Sequence, residues 1–558
     1  MANTILGLFK THSDEDPLAD SGAITSWMEK QPVNDHLVRQ EAMVRLLEDM
    51  AARQPKVTPE RVLAALELDR LSLPTQARLL KQFLQSTLSE PVRQRLWHAC
   101  DDLARWFAYT YENQSDASHE SFLSKKVKWQ LPGVSARMFY YRGLQAKHSL
   151  FRYEHWIPSR WTALHAAYET AVRRGAAHVA FGFNPDGPAS ERYTTEHEYL
   201  HILLMQRLNT GNLSAAQIQM AATWMRVWVR QLVLSPPPLE GAGFWLDLGL
   251  GDGLLGRKPQ NVARALLYLD IAPLQKRISN GLLELTLQMQ RASATAARAE
   301  AGERRALLQR LEQLWRPGSK PTERRGARVK AERPVYVATG LTEIFKVLEQ
   351  GDSSQERAQR KIRQREAIDV ASGRAPPTFG ITEQGSIDFK RQSGNGWQME
   401  DTSESGCKLV TQSDAAAYQK LGDLLGIKGE SESRWMIGIV RRLGKSEAGQ
   451  TELGVEIVAQ HSVLIKPRPL VAQDSGYSVD GRDVSAAGKS FSALYLPPTQ
   501  SGDRAPQRSM VVAVQEYSER RHLFLTFENT ASTIEFTTAL ERTKSWVWSA
   551  FNIVKPAR

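Results

Sequence analysis

Apolar residues recur every three or four positions through most of residues 23–315, the spacing that is typical of amphipathic helices. A clear example contains Leu37, Val38, Met43, Leu46, Leu47 and Met50. The pair Thr58-Pro59 supplies a capping side chain followed by proline, which predicts the start of another helix. The pattern therefore predicts an all-α amino-terminal half over residues 23–315, with a split near 112–135, preceded by a polar, loosely held arm at 1–22.

The same periodicity predicts further helices over 156–174, 195–208 and 215–234, and again from 259 to 315. A glycine-rich stretch around 244–253 is interpreted as a turn between helical layers. No repeat of fixed length is visible. We therefore expect a helical array or bundle that binds a protein partner, although the sequence does not identify that partner.

The pattern changes after about residue 330, where short runs of alternating or continuous apolar residues lie between turn-forming residues. Residues 332–340 predict a strand, and 341–348 predict a short helix. A polar, basic and proline-containing insertion follows over about 345–395. Runs at 407–410, 421–427, 435–440 and 453–458 predict further strands in a domain spanning 316–466. Runs at 492–498, 510–514, 522–527 and 533–537 predict a second small β-domain over 467–558, against which residues 546–551 pack.

The composition is that of an ordinary globular protein, with 42% hydrophobic and 24% charged residues among 558. A chain of this length is expected to form about three or four domains. No apolar run is long enough for a membrane span, and the amino terminus does not resemble a signal peptide. The expected location is therefore cytoplasmic. Cys100 and Cys407 offer neither a disulfide framework nor a zinc cluster, and Cys407 is predicted to be a small apolar filler.

The formal net charge is +11, and the basic excess lies mainly between residues 291 and 374. Such an excess favours an anionic partner. Because this region has few aromatic residues and no recognisable nucleic-acid-binding motif, a small anion is preferred over nucleic acid. Homo-oligomerisation is compatible with this composition.

Two short motifs lie in and after the basic region. The first is Arg324-Arg325-Gly-Ala-Arg328, and the second is Asp401-Thr-Ser403-Glu-Ser-Gly406. Either motif alone has little weight, because the chain contains 72 Lys and Arg residues and Asp-x-Ser sequences are common in turns. The two motifs have more weight together, because they occur in this order and strand-like runs follow them.

This order resembles the PilZ family of bacterial cyclic di-GMP receptors over about residues 322–466. The resemblance implies an antiparallel β-barrel that binds cyclic di-GMP. It implies that Arg324, Arg325 and Arg328 contact phosphates and purine faces, as a planar guanidinium can. It further implies that Asp401, Ser403 and Gly406 lie at a guanine edge. There the carboxylate accepts from N–H groups, and the glycine supplies freedom to turn beside the ligand.

The spacing departs from the usual PilZ pattern, because about seventy residues separate the two motifs instead of a few dozen. The insertion at about 345–395 accounts for the surplus. If it displaces the arginines from the barrel mouth, the binding prediction fails while the fold prediction stands. A degenerate barrel that serves as a protein scaffold without ligand is then the alternative.

Two motifs in the helical half suggest enzymes. His197-Glu198-Tyr-Leu-His201 has the H-E-x-x-H form of zinc hydrolases, in which two imidazoles bind zinc and the glutamate acts as general base. No His, Asp or Glu follows between His201 and Glu240 to act as a third ligand. The polar run around His197 and Glu198 is therefore interpreted as a solvated helix face.

The second enzyme-like motif is the stretch 244–253, which contains Asp247, Gly249, Gly251 and Gly253 and looks like the first motif of S-adenosylmethionine-dependent methyltransferases. Asp270 lies where a ribose-binding acid could follow. Helices rather than alternating strands are predicted after it, which disfavours a parallel sheet. The sequence thus favours a non-catalytic cyclic di-GMP receptor with no catalytic residues, no metal site and no cofactor, whose ligand binding is transmitted to the helical half.

Overall fold

The computed structural model describes residues 16–85, 88–117, 131–183, 192–208, 210–238, 243–316, 329–350, 396–403, 405–412, 419–430, 432, 434–446, 448–460, 462–470, 489–497, 508–527 and 530–556. The chain divides into two compact units, residues 1–323 and 324–558. The first is the helical unit and the second is the β-unit. Within the described residues, every helix is too short or too polar to span a bilayer.

The helices of the helical unit follow the predicted periodicity closely. They are α1 (Ser21–Glu29), α2 (His36–Arg53), α3 (Pro59–Phe83), α4 (Glu90–Ala117), α5 (Leu131–Phe151), α6 (Pro158–Arg173), α7 (Thr195–Gln206), α8 (Ala215–Trp228), α9 (Ala272–Arg291) and α10 (Thr295–Leu314). Local capping explains where several of them begin. Thr58 caps α3 as expected, while Thr194 and Ser214 form capping boxes at α7 and α8.

One continuous hydrophobic core serves the helical unit, extending from Leu18 to Trp315. It includes side chains from helices on both sides of the 112–135 interval, such as Phe107 and Tyr111 of α4 and Phe139 and Tyr141 of α5. Phe107 and Tyr141 stack with ring centroids 4.6 Å apart. The helices before and after this interval are therefore packed against each other.

A small antiparallel sheet interrupts the helices, and it corrects two expectations. Its strands are β1 (Leu234–Ser235), β2 (Phe244–Asp247) and β3 (Leu266–Leu269), in the order β1-β3-β2. The stretch interpreted as a glycine-rich turn thus begins with a strand. Residues 266–269, expected to be helical, form another, and α9 begins only at Ala272. Strands of two to four residues are too short to show a period in the sequence.

The β-unit contains the predicted antiparallel barrel. Its strands are β4 (Val329–Thr339), β5 (Trp397–Ser403), β6 (Gly406–Thr411), β7 (Leu424–Gly429), β8 (Met436–Lys445) and β9 (Thr451–Ala459). They close in the order β4-β5-β6-β9-β8-β7. Residues 340–350 form the expected short helix after β4. Most of the predicted insertion, residues 351–395, lies outside the described residues.

The second β-domain is a seven-stranded antiparallel sheet. Its strands are β10 (Val463–Ile465), β11 (Arg468–Pro469), β12 (Ala493–Leu496), β13 (Ser509–Ala513), β14 (His522–Phe527), β15 (Thr530–Arg542) and β16 (Trp546–Pro556), in the order β10-β12-β13-β16-β15-β14-β11. Residues 546–551 were expected to pack against this domain, but they form part of its central strand β16. Strand β10, assigned above to the barrel domain, pairs with β12 of this sheet.

The barrel and the second sheet share a hydrophobic cluster. Leu424, Ile437 and Ile439 from the barrel lie in the same cluster as Val511 and Trp546 from the sheet. A second cluster lies within the seven-stranded sheet itself and contains Phe536 and Phe551. Because buried apolar contacts join them, the barrel and the sheet are expected to behave as one packed body.

Candidate ligand-binding site

Three of the predicted site residues lie together on the β5–β6 hairpin. In the register of these strands, Asp401 pairs with Lys408 and Ser403 pairs with Gly406. The Ser403 hydroxyl donates to the carbonyl oxygen of Gly406 at 3.1 Å. Asp401 was expected at a turn, but it lies inside β5, and the turn falls after Ser403. The hairpin thus brings the three residues to one end of two paired strands.

The outer surface of the barrel carries these side chains. Met399 and Leu409 pair across the strands, and both are fully buried, as is Cys407. Alternation then directs Lys408 outward, together with its partner Asp401. Met399 faces inward, although Asp401 two residues later faces outward. A β-bulge between them explains this, because it shifts the in-and-out alternation of β5 by one residue.

The arginine motif lies outside the described residues, so the placement of Arg324, Arg325 and Arg328 stays a prediction. The chain directly after it is described. Val329 pairs with Thr402 and Lys330 pairs with Asp401, as β4 begins beside β5. The segment that follows the arginine motif therefore runs along the strand that carries Asp401 and Ser403.

Several charges on the described part of this outer surface are paired with one another. Lys408 Nζ lies 2.7 Å from Glu400 Oε2 and 3.0 Å from Glu452 Oε1. Partial burial acts to lower the pKa of Lys408, but hydrogen bonds from its ammonium group to Glu400 and Glu452 outweigh burial and raise that pKa. Lys408 is therefore neutralised by these two glutamates, and Asp401 adds a further negative charge beside them.

Next to Gly406, β9 contributes Glu456, which pairs with Gly406 in the strand register. Arg441 of β8 donates through Nε to Glu456 Oε2 at 2.6 Å. Its two terminal nitrogens donate to both carboxylate oxygens of Glu541, each at 2.6 Å. Since Glu541 belongs to β15, this ion-pair network joins the barrel surface to the second sheet.

The reason for glycine at position 406 differs from the one expected. A Cβ atom added to Gly406 would lie 2.7 Å from the carbonyl oxygen of Val455. Gly406 is not among the glycines with positive φ. Glycine is therefore needed here because β6 approaches the β9 backbone closely, and the expectation that it provides freedom to turn was wrong.

The H-E-x-x-H residues are engaged in structural contacts within α7. The Thr194 backbone N–H donates to His197 Nδ1 at 3.3 Å as part of the capping box. Glu198 is only 3% exposed and pairs with Arg226, while His201 Nε2 donates to the Ala222 carbonyl oxygen at 3.0 Å. The expectation of a solvated helix face was wrong.

Electrostatics agree with this structural role. Burial, reinforced by the charges of Arg226 and Lys147, lowers the pKa of His201 to about 3. Burial also raises the pKa of Glu198, although Arg226 counteracts this. Among the described residues, no group of three or more His, Cys, Asp or Glu side chains is arranged to hold a metal ion.

The methyltransferase-like stretch also has a structural explanation. Asp247 at the end of β2 accepts hydrogen bonds from the backbone N–H groups of Gly249, Ala263 and Arg264. Asp270 accepts from the N–H of Ala272 at the start of α9, at 3.0 Å. Since β2 belongs to an antiparallel sheet, the strand-to-helix geometry of a nucleoside-binding parallel sheet is missing from the described part of this region.

Both cysteines are inert in their surroundings. Cys407 is fully buried in the barrel, as its expected role as an apolar filler requires. Burial raises the pKa of Cys100 to about 11, which keeps its thiol protonated and unreactive at neutral pH.

Sequence reasoning missed the charged residues that surround the site, namely Lys330, Glu400, Lys408, Glu452, Glu456 and Arg441. Their proximity depends on the strand order of the closed barrel. One local signal was available. Trp397 and Met399 are spaced as inward-facing residues of a strand, and the same alternation would direct residue 401 inward. Because residue 401 is an aspartate, the sequence indicates a β-bulge that directs it outward.

Two family models match this chain. Residues 22–238 match the cyclic-di-GMP receptor FimW, N-terminal domain, and residues 346–463 match the cyclic-di-GMP receptor FimW, middle PilZ domain. The second range contains Asp401, Ser403 and Gly406 but not the arginine motif. No curated protein and no solved structure gives a significant match. Because it carries both domains in this order, the chain belongs to the FimW family of cyclic-di-GMP receptors.

Proposed function

We propose that this protein is a non-catalytic receptor that binds cyclic di-GMP on the outer surface of the β5–β6 hairpin. The observation that supports it most directly is the clustering of Asp401, Ser403 and Gly406 at one end of that hairpin, beside the strand that begins at Val329. Consecutive Cα atoms are 3.8 Å apart, so the chain connection tethers Arg328 to this place. The long insertion follows β4 and therefore does not separate the arginines from Val329.

The residue types fit the ligand. In this proposal the arginines form paired hydrogen bonds with phosphate oxygens and stack on purine rings. Asp401 accepts from the N–H groups of a guanine edge. The Ser403 hydroxyl already donates to Gly406, but it keeps acceptor capacity for a ligand N–H. Gly406 adds no side chain above this surface.

The charge distribution gives the arginines the main role in phosphate binding. Lys408 is occupied by Glu400 and Glu452. A dianionic ligand would otherwise approach Asp401 and these glutamates with net repulsion. Phosphate affinity is therefore supplied by Arg324, Arg325 and Arg328, and their removal is expected to abolish binding rather than merely weaken it.

The signal is proposed to pass through the chain that joins the two units. The division between them falls directly before Arg324. A ligand that holds the arginine motif against β5 would bias this connection between a bound and a free state, provided its affinity for the two states differs. The helical unit then presents a surface to a protein partner in a ligand-dependent way.

Titration calorimetry with cyclic di-GMP and the full chain tests the proposal. We expect micromolar or tighter binding. Losing a hydrogen bond to a charged group costs about 1.5–3 kcal/mol, so Asp401→Asn is expected to weaken binding at least about tenfold. Arg324→Ala and Arg328→Ala should act similarly, and the triple arginine variant should not bind.

Matched controls come from exposed charges of the same unit. Arg508→Ala and Glu519→Gln remove one charge each from exposed positions and should leave affinity unchanged. If the unaltered chain shows no heat with cyclic di-GMP, the alternative of a ligand-free PilZ scaffold takes its place. If it binds but Asp401→Asn has no effect, the site is assigned to the wrong surface.

A further inference from the structure

A cavity with ligand-binding character lies in the helical unit, within the region matched by the N-terminal domain model. Its volume is about 510 Å³, inside the range of about 300–1,000 Å³ that is usual for small-molecule sites. The lining combines aromatic rings with guanidinium groups, and its main members are Arg70, Arg137, Tyr140, Phe183, Tyr193 and Arg226. An ordinary gap between helices would be lined mainly by aliphatic side chains.

The rings and guanidinium groups alternate along one wall. Arg137 lies 4.7 Å from the Phe183 ring centroid and 3.9 Å from that of Tyr140. Arg226 lies 4.5 Å from the Tyr140 centroid and 4.7 Å from that of Tyr193. Tyr193 also has Arg230 at 4.3 Å from its centroid, so a further planar ring joins this alternation by stacking against a guanidinium plane.

A fully buried carboxylate fixes one of these guanidinium groups. Asp69 accepts two hydrogen bonds from Arg137, through Nε and Nη2, each at 2.7 Å. The hydroxyls of Tyr111 and Tyr141 donate to the same carboxylate, also at 2.7 Å. Arg137 is thus oriented before any ligand arrives, which reduces the entropy cost of binding.

Glu198 contributes an acceptor to the same cavity. One carboxylate oxygen, Oε1, pairs with Arg226. The side chain is 3% exposed, and the hydrogen bond from Arg226 to Oε1 leaves Oε2 the capacity to accept from a ligand donor. A buried acceptor of this kind is suited to a ligand that brings N–H donors.

Arg70 supplies a cation at a more exposed position of the lining. Its side chain is 49% exposed, and within the described part of the chain its ion pair is with Glu67, three residues earlier on α3. Such an exposed pair is worth little, so a phosphate can compete for the guanidinium group.

We propose that this cavity binds a guanine nucleotide, with its base stacked on the wall formed by Tyr140, Tyr193 and the arginines. In this arrangement the base donates its N–H groups to Glu198, and its phosphate pairs with Arg70. Adenine offers one amino donor on the corresponding edge, so a guanine nucleotide is preferred. The source is either a mononucleotide or one half of cyclic di-GMP, and binding here is independent of the barrel site.

Calorimetry on the full chain with 5′-GMP, guanosine and AMP tests this proposal. We expect 5′-GMP to bind at least about tenfold more tightly than AMP. Arg70→Ala should weaken 5′-GMP about tenfold and leave guanosine unchanged, because only the nucleotide carries the phosphate. Tyr193→Leu should weaken both. Arg45→Ala, which removes an exposed ion-paired arginine elsewhere in this unit, is the matched control and should change neither.

Asp401→Asn distinguishes binding in this cavity from binding at the barrel site. That variant should bind 5′-GMP as the unaltered chain does. If it also binds cyclic di-GMP and Arg70→Ala weakens that binding, the cavity takes one half of cyclic di-GMP. If it does not, the source is a mononucleotide. Absence of 5′-GMP binding at about 1 mM overturns the proposal. So does loss of that binding in Asp401→Asn, or an equal effect of Arg70→Ala on guanosine and 5′-GMP.

Discussion

The H-E-x-x-H helix and the D-x-S-x-x-G hairpin contain two short motifs that are equally recognisable in the sequence but have different surroundings in the fold. In α7, His197 caps the helix, Glu198 pairs with Arg226 and His201 binds a backbone carbonyl. In the hairpin, Asp401 and Ser403 lie on an outer barrel surface and are only partly buried.

The difference lies in what surrounds each motif. His197, Glu198 and His201 in α7 are held by neighbouring groups of the helical unit. The hairpin side chains face away from a barrel interior that Met399, Cys407 and Leu409 already fill. A short motif therefore indicates the chemistry of its pattern only when the fold brings its side chains together at an accessible place.

The largest expected effect comes from removing the buried carboxylate of the helix motif. Glu198→Ala leaves Arg226, whose side chain is 23% exposed, without its partner, and breaking a largely buried pair in this way costs about 3 kcal/mol. Urea denaturation followed by helical circular dichroism should show this loss. Glu300→Ala removes an exposed partner of Arg304 and should cost under about 0.5 kcal/mol. Equal midpoints for the two variants would show that Glu198 is not a structural residue.

A pH experiment sharpens the same contrast through His201. Its pKa is lowered to about 3 by burial, whereas an unfolded histidine titrates near about 6.5. Between these values the unfolded chain binds a proton that the folded chain excludes, so stability falls as the pH falls. At about 1.4 kcal/mol per pH unit, the loss between pH 6.5 and pH 5 approaches about 2 kcal/mol.

His201→Gln removes the titrating group and keeps an N–H donor for the Ala222 carbonyl oxygen. Its stability should therefore depend less steeply on pH over this interval than that of the unaltered chain. His155→Gln changes an exposed histidine of the same unit and serves as the control. Parallel pH profiles for His201→Gln and the unaltered chain would contradict the buried neutral imidazole.

Much of the fold could be predicted because its signals are local. Helix periodicity and caps such as Thr58 depend on neighbours along the chain, and the barrel strands lie between clear turn residues. The central strand β16 was missed because Trp546, Val547 and Trp548 are all buried, and a strand buried on both faces does not alternate. The short strands β1, β2 and β3 gave no period at all.

The site was predictable only in part. The residues Asp401, Ser403 and Gly406 were found through the resemblance, but the reason for the glycine depends on Val455, far along the chain. The charges around Lys408 come from β5, β6 and β9, whose adjacency follows from barrel closure. No local rule gives that adjacency, because it depends on which strands pair.

Gly406→Ala tests the close approach on the hairpin side of the comparison. The added methyl group would lie 2.7 Å from the Val455 carbonyl oxygen, so β6 and β9 must separate. Overpacking of this kind costs about 1–2 kcal/mol, and thermal unfolding of the β-unit should show it. Gly444→Ala is the matched control, because its φ is not positive and a Cβ there meets Glu452 only at the ordinary distance of 3.8 Å. A cost for Gly406→Ala no larger than that for Gly444→Ala would contradict the steric explanation.

The smallest expected effect concerns Arg441, which joins the barrel to the second sheet. Its guanidinium group binds Glu456 beside the hairpin and forms a two-point pair with Glu541. Because about a third of the side chain is exposed, Arg441→Ala should cost only about 1 kcal/mol in unfolding of the β-unit. The same change should hardly alter cyclic di-GMP affinity, since the network contacts neither Asp401 nor Ser403 directly.

Arg441→Lys separates charge from geometry, because lysine keeps the charge but cannot bind both oxygens of Glu541 while also donating to Glu456. It should recover less than half of the lost stability. If affinity for cyclic di-GMP falls tenfold in either variant while stability is unchanged, the network transmits ligand binding to the second sheet rather than only holding two packed domains together. The contacts of Arg441 beside the hairpin would then carry a signal, whereas the polar contacts of α7 stabilise the fold.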